Sequence, residues 1–152
     1  MIVREIMKKE VATCGPQDDL TTAVKAMNEH GCGFLPVVDS HGLVAGVVTD
    51  RDVSLHAAGT TRSMAHISAS ETMTHPVFSC LPDDNVKATL ETMAQHHVRR
   101  LPVVDKQGHL QGVLSIDDVM QAPRSRGAPT TEEIVSAFKR ISAPRRFEPV
   151  PE

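Results

Sequence analysis

Two stretches of the chain carry a hydroxyl residue that is followed three positions later by an aspartate. They span residues 46–52 and 112–118, and both follow the pattern Gly-apolar-apolar-Thr/Ser-x-x-Asp. One role for this pattern is structural, because the hydroxyl of Thr49 or Ser115 can cap a helix while the aspartate completes a variant of the capping box. The other role is ligand binding, because free amides at a helix N-terminus attract anions and a nearby carboxylate can accept hydrogen bonds from both hydroxyls of a ribose.

Both stretches belong to a longer internal duplication. When the chain is displaced by 66 positions, so that Met7 falls on Met73, 17 of the 50 pairs up to His56 are identical, whereas composition alone would give roughly 3. The identical pairs include the whole Leu-Pro-Val-Val-Asp segment, at residues 35–39 and again at 101–105. One unit of about fifty residues would bury its apolar face poorly. The duplication therefore predicts two lobes that pack together about a pseudo-two-fold axis.

Each copy predicts the same order of elements, β-α-β-β-α. A short extended segment, residues 11–13 or 77–79, precedes acidic residues and apolar residues at helical spacing. Two Val-rich strands joined by an Asp-x-x-Gly turn follow, and a second helix starts near Asp50 or Ile116. The predicted strands are Phe34–Val38, 43–48, 101–104 and 110–114.

The predicted fold class is therefore α/β (α+β), with two β-α-β-β-α units packed through their sheets and a short C-terminal helix. We assign repeat 1 to residues 1–60, a polar surface linker to 61–72 and repeat 2 to 73–122. Residues 123–152 hold a linker, the short helix and a tail. Thr130 and Glu133 form a capping box for that helix, whose apolar face, Ile134, Val135, Phe138 and Ile141, could dock on its own core or on a second subunit.

From Ile2 to Ala122 the sequence resembles a tandem CBS-domain pair, often called a Bateman module. The resemblance rests on the opening methionines Met7 and Met73, on the two Leu-Pro-Val-Val-Asp segments and on the two Thr/Ser-x-x-Asp stretches, in the same order and at the same spacing twice. It implies two sheet-packed units with two related clefts. Such clefts commonly bind AMP, ADP, ATP, NAD or S-adenosylmethionine.

The resemblance also implies nucleotide-binding positions in both repeats. Asp52 and Asp118 would hold ribose hydroxyls, and Thr49 and Ser115 would hold ribose or phosphate. Residues 11–13 and 77–79, here called the entry segments, would line the adenine slot, and residues at the start of each Leu-Pro-Val-Val run would face the phosphates. The remaining candidates are Val11, Ala12, Thr13, Gly33, Phe34, Leu35, Pro36, Arg51, Val77, Phe78, Ser79, Arg99, Arg100, Leu101 and Pro102.

The two predicted clefts are unequal in charge. Repeat 2 carries Arg99-Arg100 where repeat 1 carries Gly33-Phe34. An arginine pair can clamp phosphate through bidentate hydrogen bonds, whereas Phe34 can only pack on an adenine or a ribose. We therefore expect the more anionic ligand group on the Arg99/Arg100 side, with an ordinary solvated arginine pair as the alternative.

Composition argues against several other classes of protein. A net charge of −3 and only four aromatic residues are unlike a nucleic-acid-binding surface. No apolar run approaches the roughly 20 residues needed to span a membrane, and the N-terminus has no signal-peptide pattern, so a cytoplasmic location is expected. His96-His97 has no third ligand at a recognisable spacing, so no metal site is predicted.

The motifs do not predict an enzyme or a catalytic cofactor. The sequence has no Ser-His-Asp or Cys-His signature and no phosphate-cradling Gly-rich loop. Cys14, Cys32 and Cys80 form no C-x-x-C pair, which favours reduced, partly buried thiols over a redox switch. The leading hypothesis is an adenine-nucleotide sensor that forms a homodimer and is read by an unknown downstream protein. The alternatives are an S-adenosylmethionine binder or an interaction module whose clefts are vestigial.

Overall fold

The computed structural model describes residues 1–144, so the predicted tail at 145–152 lies outside the described residues. The predicted α/β class and the two repeats are confirmed, each repeat being an antiparallel hairpin flanked by two helices. Repeat 1 contains α1 (Leu20–Glu29), β1 (Phe34–Val38), β2 (Val44–Thr49) and α2 (Asp50–Ala58). The connection contains α3 (Ala69–Thr72). Repeat 2 contains α4 (Val86–His96), β3 (Arg100–Val104), β4 (Leu110–Ser115) and α5 (Ile116–Gln121), and α6 (Thr131–Ser142) follows.

The Asp-x-x-Gly turns set the register of both hairpins. The Asp39 carboxylate accepts hydrogen bonds from the backbone N–H groups of His41, at 2.8 Å, and Leu43, at 3.0 Å. The bond from Leu43 is the main reason why the pKa of Asp39 lies below its usual value. Asp105 closes the second turn in the same way. As a result, the two hairpins have the same pairing and the same irregularity before their last residue pair.

The entry segments contribute less to the sheets than the sequence predicts. Neither segment forms a strand. The residue that follows each one makes a single parallel bridge, Cys14 with Val37 in repeat 1 and Cys80 with Val103 in repeat 2. The chain then turns into the first helix, which begins under the cap of Asp19 in repeat 1. The entry segments therefore run along the hairpins and keep their side chains available for other contacts.

A segment on the N-terminal side of the first helix of each unit packs on the other unit. We call these two segments, residues 1–8 and 67–74, the crossing segments. Val3, in a 3₁₀ turn at the N-terminus, is fully buried in the core of repeat 2. Ile67 and Ala69, between the repeats, are fully buried in the core of repeat 1. The prediction of a polar surface linker is wrong here, because Ile67 and Ala69 complete a core that repeat 1 cannot close with its own residues.

The crossing segments also pair with the opposite hairpins. Lys8 exchanges two backbone hydrogen bonds with Val113 of β4, at 3.0 and 2.9 Å, and Thr74 pairs with Val47 of β2 in the same way. The two hairpin tips meet through a bridge between Leu43 and His109. Equivalent residues thus make equivalent contacts, which gives the pair its pseudo-two-fold symmetry.

Helix α6 docks on α4 and α5 of its own chain, which settles the choice that the sequence left open. Its capping box between Thr130 and Glu133 is confirmed. Ile134, Ala137 and Ile141 are buried, whereas Val135, which the sequence placed on the apolar face, is 47% exposed. Arg140 holds the Glu91 carboxylate with two hydrogen bonds, of 2.7 and 2.9 Å, and these lower the pKa of Glu91.

The contacts of the crossing segments with the hairpins predict that two matched glycine substitutions lower stability unequally. A Cβ at Gly112 would collide with the backbone carbonyl of Lys8, whereas a Cβ at Gly46 would collide with the flexible side chain of Met73. Gly112→Ala should therefore lower the free energy of unfolding by about 1–3 kcal/mol, and Gly46→Ala by clearly less. Urea denaturation of both variants measures the difference. Equal losses would show that the crossing at Lys8 is not tightly packed.

Candidate functional site

A cleft of about 250 Å³ lies between the two repeats, close to the lower limit of typical small-ligand pockets. We call it the Asp118 cleft. One wall is the entry segment of repeat 1, and the other is the junction between β4 and α5 of repeat 2. It is lined by Lys8, Glu10, Val11, Ala12, His30, Gly31, Cys32, Phe34, Arg100, Val113, Ser115, Asp117 and Asp118.

Ser115 and Asp118 form a closed hydrogen-bonded pair at the centre of this cleft. The Asp118 Oδ2 atom accepts from the Ser115 backbone N–H at 2.8 Å and from the Ser115 hydroxyl at 2.5 Å. The Ser115 Oγ atom in turn accepts from the Asp118 backbone N–H at 3.1 Å. These bonds fix one carboxylate oxygen of Asp118 as a cap and turn the other, Oδ1, away from the helix end.

The free side of the Asp118 carboxylate faces a lysine from the other repeat. Lys8 Nζ lies 3.7 Å from Asp118 Oδ1, and the lysine side chain is 74% exposed while that of Asp118 is 10% exposed. Solvent at the exposed lysine end screens this ion pair and weakens it. Lys8 can therefore leave the carboxylate at small cost when another hydrogen-bond donor approaches Oδ1.

The equivalent region of repeat 1, here called the Asp52 region, has the same scaffold with different side chains. Thr49 and Asp52 form the matching box, with bonds of 3.0 and 3.1 Å. The pairing of Thr74 with Val47 brings the entry segment of repeat 2 alongside β2. In that segment, Phe78 stacks on His96 with ring centroids 3.7 Å apart and planes inclined by 14°.

The structure separates the two arginines that the sequence treated as a pair. Arg100 lines the Asp118 cleft, whereas Arg99 is exposed and lies over the ring of Phe138 in α6, 5.2 Å from its centroid. Successive side chains of an extended backbone point in opposite directions, so the two guanidinium groups do not share one cleft. Of the predicted pair, Arg100 is the residue that lines the Asp118 cleft, and its contact with a phosphate stays a prediction.

Several predicted contact residues position the site without reaching it. Leu35 and Leu101 are buried in the two hydrophobic cores, and Pro36 and Pro102 are buried beside them. The proline carbonyls accept hydrogen bonds from the backbone of Cys14 and Cys80 and so hold the entry segments in place. These four side chains face the interior, so a nucleotide contact from these residues, which stays a prediction, would come from the backbone.

The remaining candidates are divided between the Asp118 cleft and other surfaces. Gly33 faces a second groove, and Thr13, Ser79 and Arg51 are exposed. Val11, Ala12 and Phe34 line the Asp118 cleft. Val77 and Phe78 lie at the equivalent positions of the second entry segment.

The sequence motifs do not point to two residues that line the Asp118 cleft, Lys8 and His30. Lys8 belongs to no motif, although the duplication aligns it with Thr74 and so gives the two repeats a different charge at this position. His30 directly follows α1, and its Nδ1 atom lies 2.9 Å from the carbonyl oxygen of Ala26. Its position on the cleft wall depends on the crossing of the repeats, which the periodicity of the sequence does not show.

The cysteines are free thiols. Burial raises the pKa of Cys14 to about 11 and that of Cys80 to about 12, with a further contribution from the neighbouring carboxylates of Asp18 and Asp84. Both thiols therefore stay protonated at neutral pH. This protonation state agrees with the expectation of unreactive core cysteines.

Within residues 1–144, no group of three or more His, Cys, Asp or Glu residues is arranged to hold a metal ion. None of the helices in that range is long and apolar enough to cross a membrane.

Comparison with known proteins agrees with this architecture. The chain is 34% identical over 117 residues to the CBS domain-containing protein YhcV of Bacillus subtilis, covering 77% of this chain and 81% of that protein. It matches the CBS domain pair of protein MJ0100, solved with 5′-methylthioadenosine and S-adenosyl-L-methionine, with a TM-score of 0.72 and 25% identity over 80% of this chain and 94% of that one. Hypoxic Response Protein I, solved with two coordinated zinc ions, matches with a TM-score of 0.73 and 27% identity over 81% of this chain and all of that one.

The fold and the composite cleft define a two-repeat ligand-binding regulatory module. The model of the CBS domain matches residues 3–59 and again residues 69–125. The chain therefore belongs to the CBS-domain family and carries a tandem pair. The matching family model is not that of a catalytic domain.

The two capping boxes predict matched effects on stability. Ser115→Ala removes the hydroxyl that accepts from the Asp118 backbone, and Thr49→Ala removes the equivalent group in repeat 1. Each substitution should lower the free energy of unfolding by about 1 kcal/mol. Chemical denaturation measures both. A loss well under that value for Ser115→Ala would show that the box does not hold the Asp118 carboxylate in place.

Proposed function

We propose that the protein is a sensor that binds an adenosine-containing ligand, such as AMP, ADP, ATP, NAD or S-adenosylmethionine, in the Asp118 cleft. The observation that carries this proposal is the Asp118 carboxylate, which is almost buried, fixed through Oδ2 and left with Oδ1 facing a cleft of ligand size. A structural cap alone would not require the second oxygen to face a cavity.

A ribose fits the chemistry of this carboxylate. Two adjacent hydroxyls donate hydrogen bonds, and an ionised carboxylate accepts them more strongly than a neutral group does. The apolar side of the cleft, formed by Val11, Ala12 and Phe34, suits a flat base. The protein MJ0100 pair, with its two adenosine-based ligands, supports the same ligand class for this chain.

Two cations stand among the acidic residues Glu10, Asp117 and Asp118 in the lining of the cleft, and they can pair with an anionic group of the ligand beyond the ribose. Lys8 and Arg100 line the Asp118 cleft, and their repeat equivalents are the uncharged Thr74 and Phe34. We therefore infer that phosphate binds on the Asp118 side. S-adenosylmethionine, a sulfonium with a carboxylate, is the alternative ligand.

The cleft can transmit a signal because both repeats contribute to it. Because one wall belongs to each repeat, a ligand that touches both walls stabilises one relative position of the repeats. A separate downstream protein in the cytoplasm would read that change. The module itself needs no catalytic group for this role.

A thermal-shift panel with AMP, ADP, ATP, NAD and S-adenosylmethionine tests the proposal. A ligand at 100 times its dissociation constant should add about 2.7 kcal/mol of stability. Asp118→Asn should strongly reduce the rise in unfolding midpoint that the ligand causes, because the amide lacks the charge and one of the acceptor oxygens of the carboxylate.

The matched control is Glu132→Gln, which neutralises an exposed carboxylate on α6. The midpoint of thermal unfolding of this variant should rise with ligand as much as that of the parent. If no compound raises the parent midpoint, the sensor function is wrong and an interaction module with vestigial clefts is the better description. If Asp118→Asn responds like the parent, the ribose assignment is wrong.

We further propose that the protein is a homodimer joined through the helices of repeat 1. Helix α6 covers the α4/α5 face of repeat 2, whereas the equivalent α1/α2 face is open. That face contains a groove of about 600 Å³ with Val24, Val53 and Met64 in its lining, and Leu55 of α2 is 61% exposed. A second copy would cover these apolar side chains.

Light scattering after size exclusion measures this assembly. The parent should have twice the chain mass of 16.5 kDa, and Leu55→Glu should be a monomer because a charge would enter the interface. Val135→Glu, an exposed apolar residue on α6, is the matched control and should stay dimeric. A monomeric parent, or a dimer unaffected by Leu55→Glu, would contradict the proposed interface.

A further inference from the structure

The stacked pair Phe78 and His96 has an unfilled counterpart in the Asp118 cleft. Under the duplication, Phe78 corresponds to Ala12 and His96 corresponds to His30. The segments that carry Ala12 and Phe78 are anchored alike, since the bridges at Lys8 and Cys14 match those at Thr74 and Cys80. Ala12 and His30 therefore hold the positions equivalent to Phe78 and His96, and both line the Asp118 cleft, where Ala12 contributes no ring.

The space beside Ala12 is part of the open cleft. Ala12 and His30 both line it, and His30 is exposed. The bond of His30 Nδ1 to the Ala26 carbonyl holds the imidazole by its edge, which leaves a ring face available for stacking. In repeat 2 the same ring position is covered at stacking distance by the side chain of Phe78.

We propose that the protein binds one adenosine ligand per chain, with the adenine stacked on His30 in the place that Phe78 occupies over His96. The Asp52 region is then occupied by the protein's own aromatic ring. This inference rests on the proposed function and adds to it the position of the base and the number of ligands. Ala12 and Phe78 are the residues that decide which of the two sites is open.

The stacking geometry supports this assignment. The rings of Phe78 and His96 are nearly parallel, which is also how a base stacks on an aromatic side chain. A purine has a flat face of the kind that the phenyl ring presents. In the Asp118 cleft, the side chain of Ala12 is small enough to leave this volume to a ligand.

Exchanging the two residues provides the test. Isothermal titration with AMP and with S-adenosylmethionine should give one ligand per chain for the parent and two for Phe78→Ala. Ala12→Phe should lose binding, and the double variant Ala12→Phe/Phe78→Ala should again bind one ligand. Binding to that double variant should be abolished by Asp52→Asn and unaffected by Asp118→Asn. Phe78 is 44% exposed, so its replacement should leave the chain folded.

Two further variants test the stacking itself. His30→Ala should weaken binding by the parent about five- to 100-fold, as expected for loss of one base–aromatic stack. Ring-current shifts of the His30 protons on ligand addition would report direct stacking. Glu132→Phe places the same new ring at an exposed position of α6, outside the lining of the cleft, and should bind as the parent does.

The outcomes distinguish failure of this inference from failure of the proposed sensor function on which it rests. Two ligands per chain in the parent, or one ligand in Phe78→Ala, would overturn the inference and leave the sensor function intact. Unchanged binding by His30→Ala would overturn the stacked position of the base. Absence of binding by both the parent and Phe78→Ala would overturn the proposed function and the inference together.

Discussion

The exchange of segments between the two repeats is the constraint on which the structure depends. Val3 completes the core of repeat 2, and Ile67 with Ala69 completes the core of repeat 1. On the way to its own helix, each crossing segment pairs with the opposite hairpin at Val113 or Val47. Neither repeat has a closed core alone, so folding and formation of the composite cleft are one event. This is why a ligand between the repeats can act on the whole module.

The crossing segments place different side chains beside the two Thr/Ser-x-x-Asp boxes, although the boxes themselves are alike. Both Thr/Ser-x-x-Asp boxes share the two reciprocal bonds between backbone and side chain, so their backbones are alike. The side chains that face them come from the other repeat and have diverged in charge and size. Lys8 stands where the other repeat has Thr74, and Ala12 stands where it has Phe78, which stacks on His96, so the two sites differ in charge and in the space beside the scaffold. Duplication thus supplies two related positions, and substitution at a few crossing residues makes them unequal.

Much of the fold could be predicted from the sequence because its signals are local. The Asp-x-x-Gly turns and Val-rich strands predict both hairpins to within a residue, and the capping boxes mark the starts of α2, α5 and α6. The crossing could not be predicted this way, because burial of Ile67 depends on partners that are distant in sequence. The separation of Arg99 from Arg100 was predictable from strand alternation, although the charge motif suggested otherwise.

The central claim is that one ligand contacts both repeats at the Asp118 cleft. Amide chemical-shift mapping during titration with AMP or S-adenosylmethionine tests it most directly. The account predicts simultaneous shifts at Ala12 and His30 of repeat 1 and at Ser115 and Asp118 of repeat 2, with one common dissociation constant. Shifts confined to one repeat, or centred on Thr49 and Asp52, would contradict it.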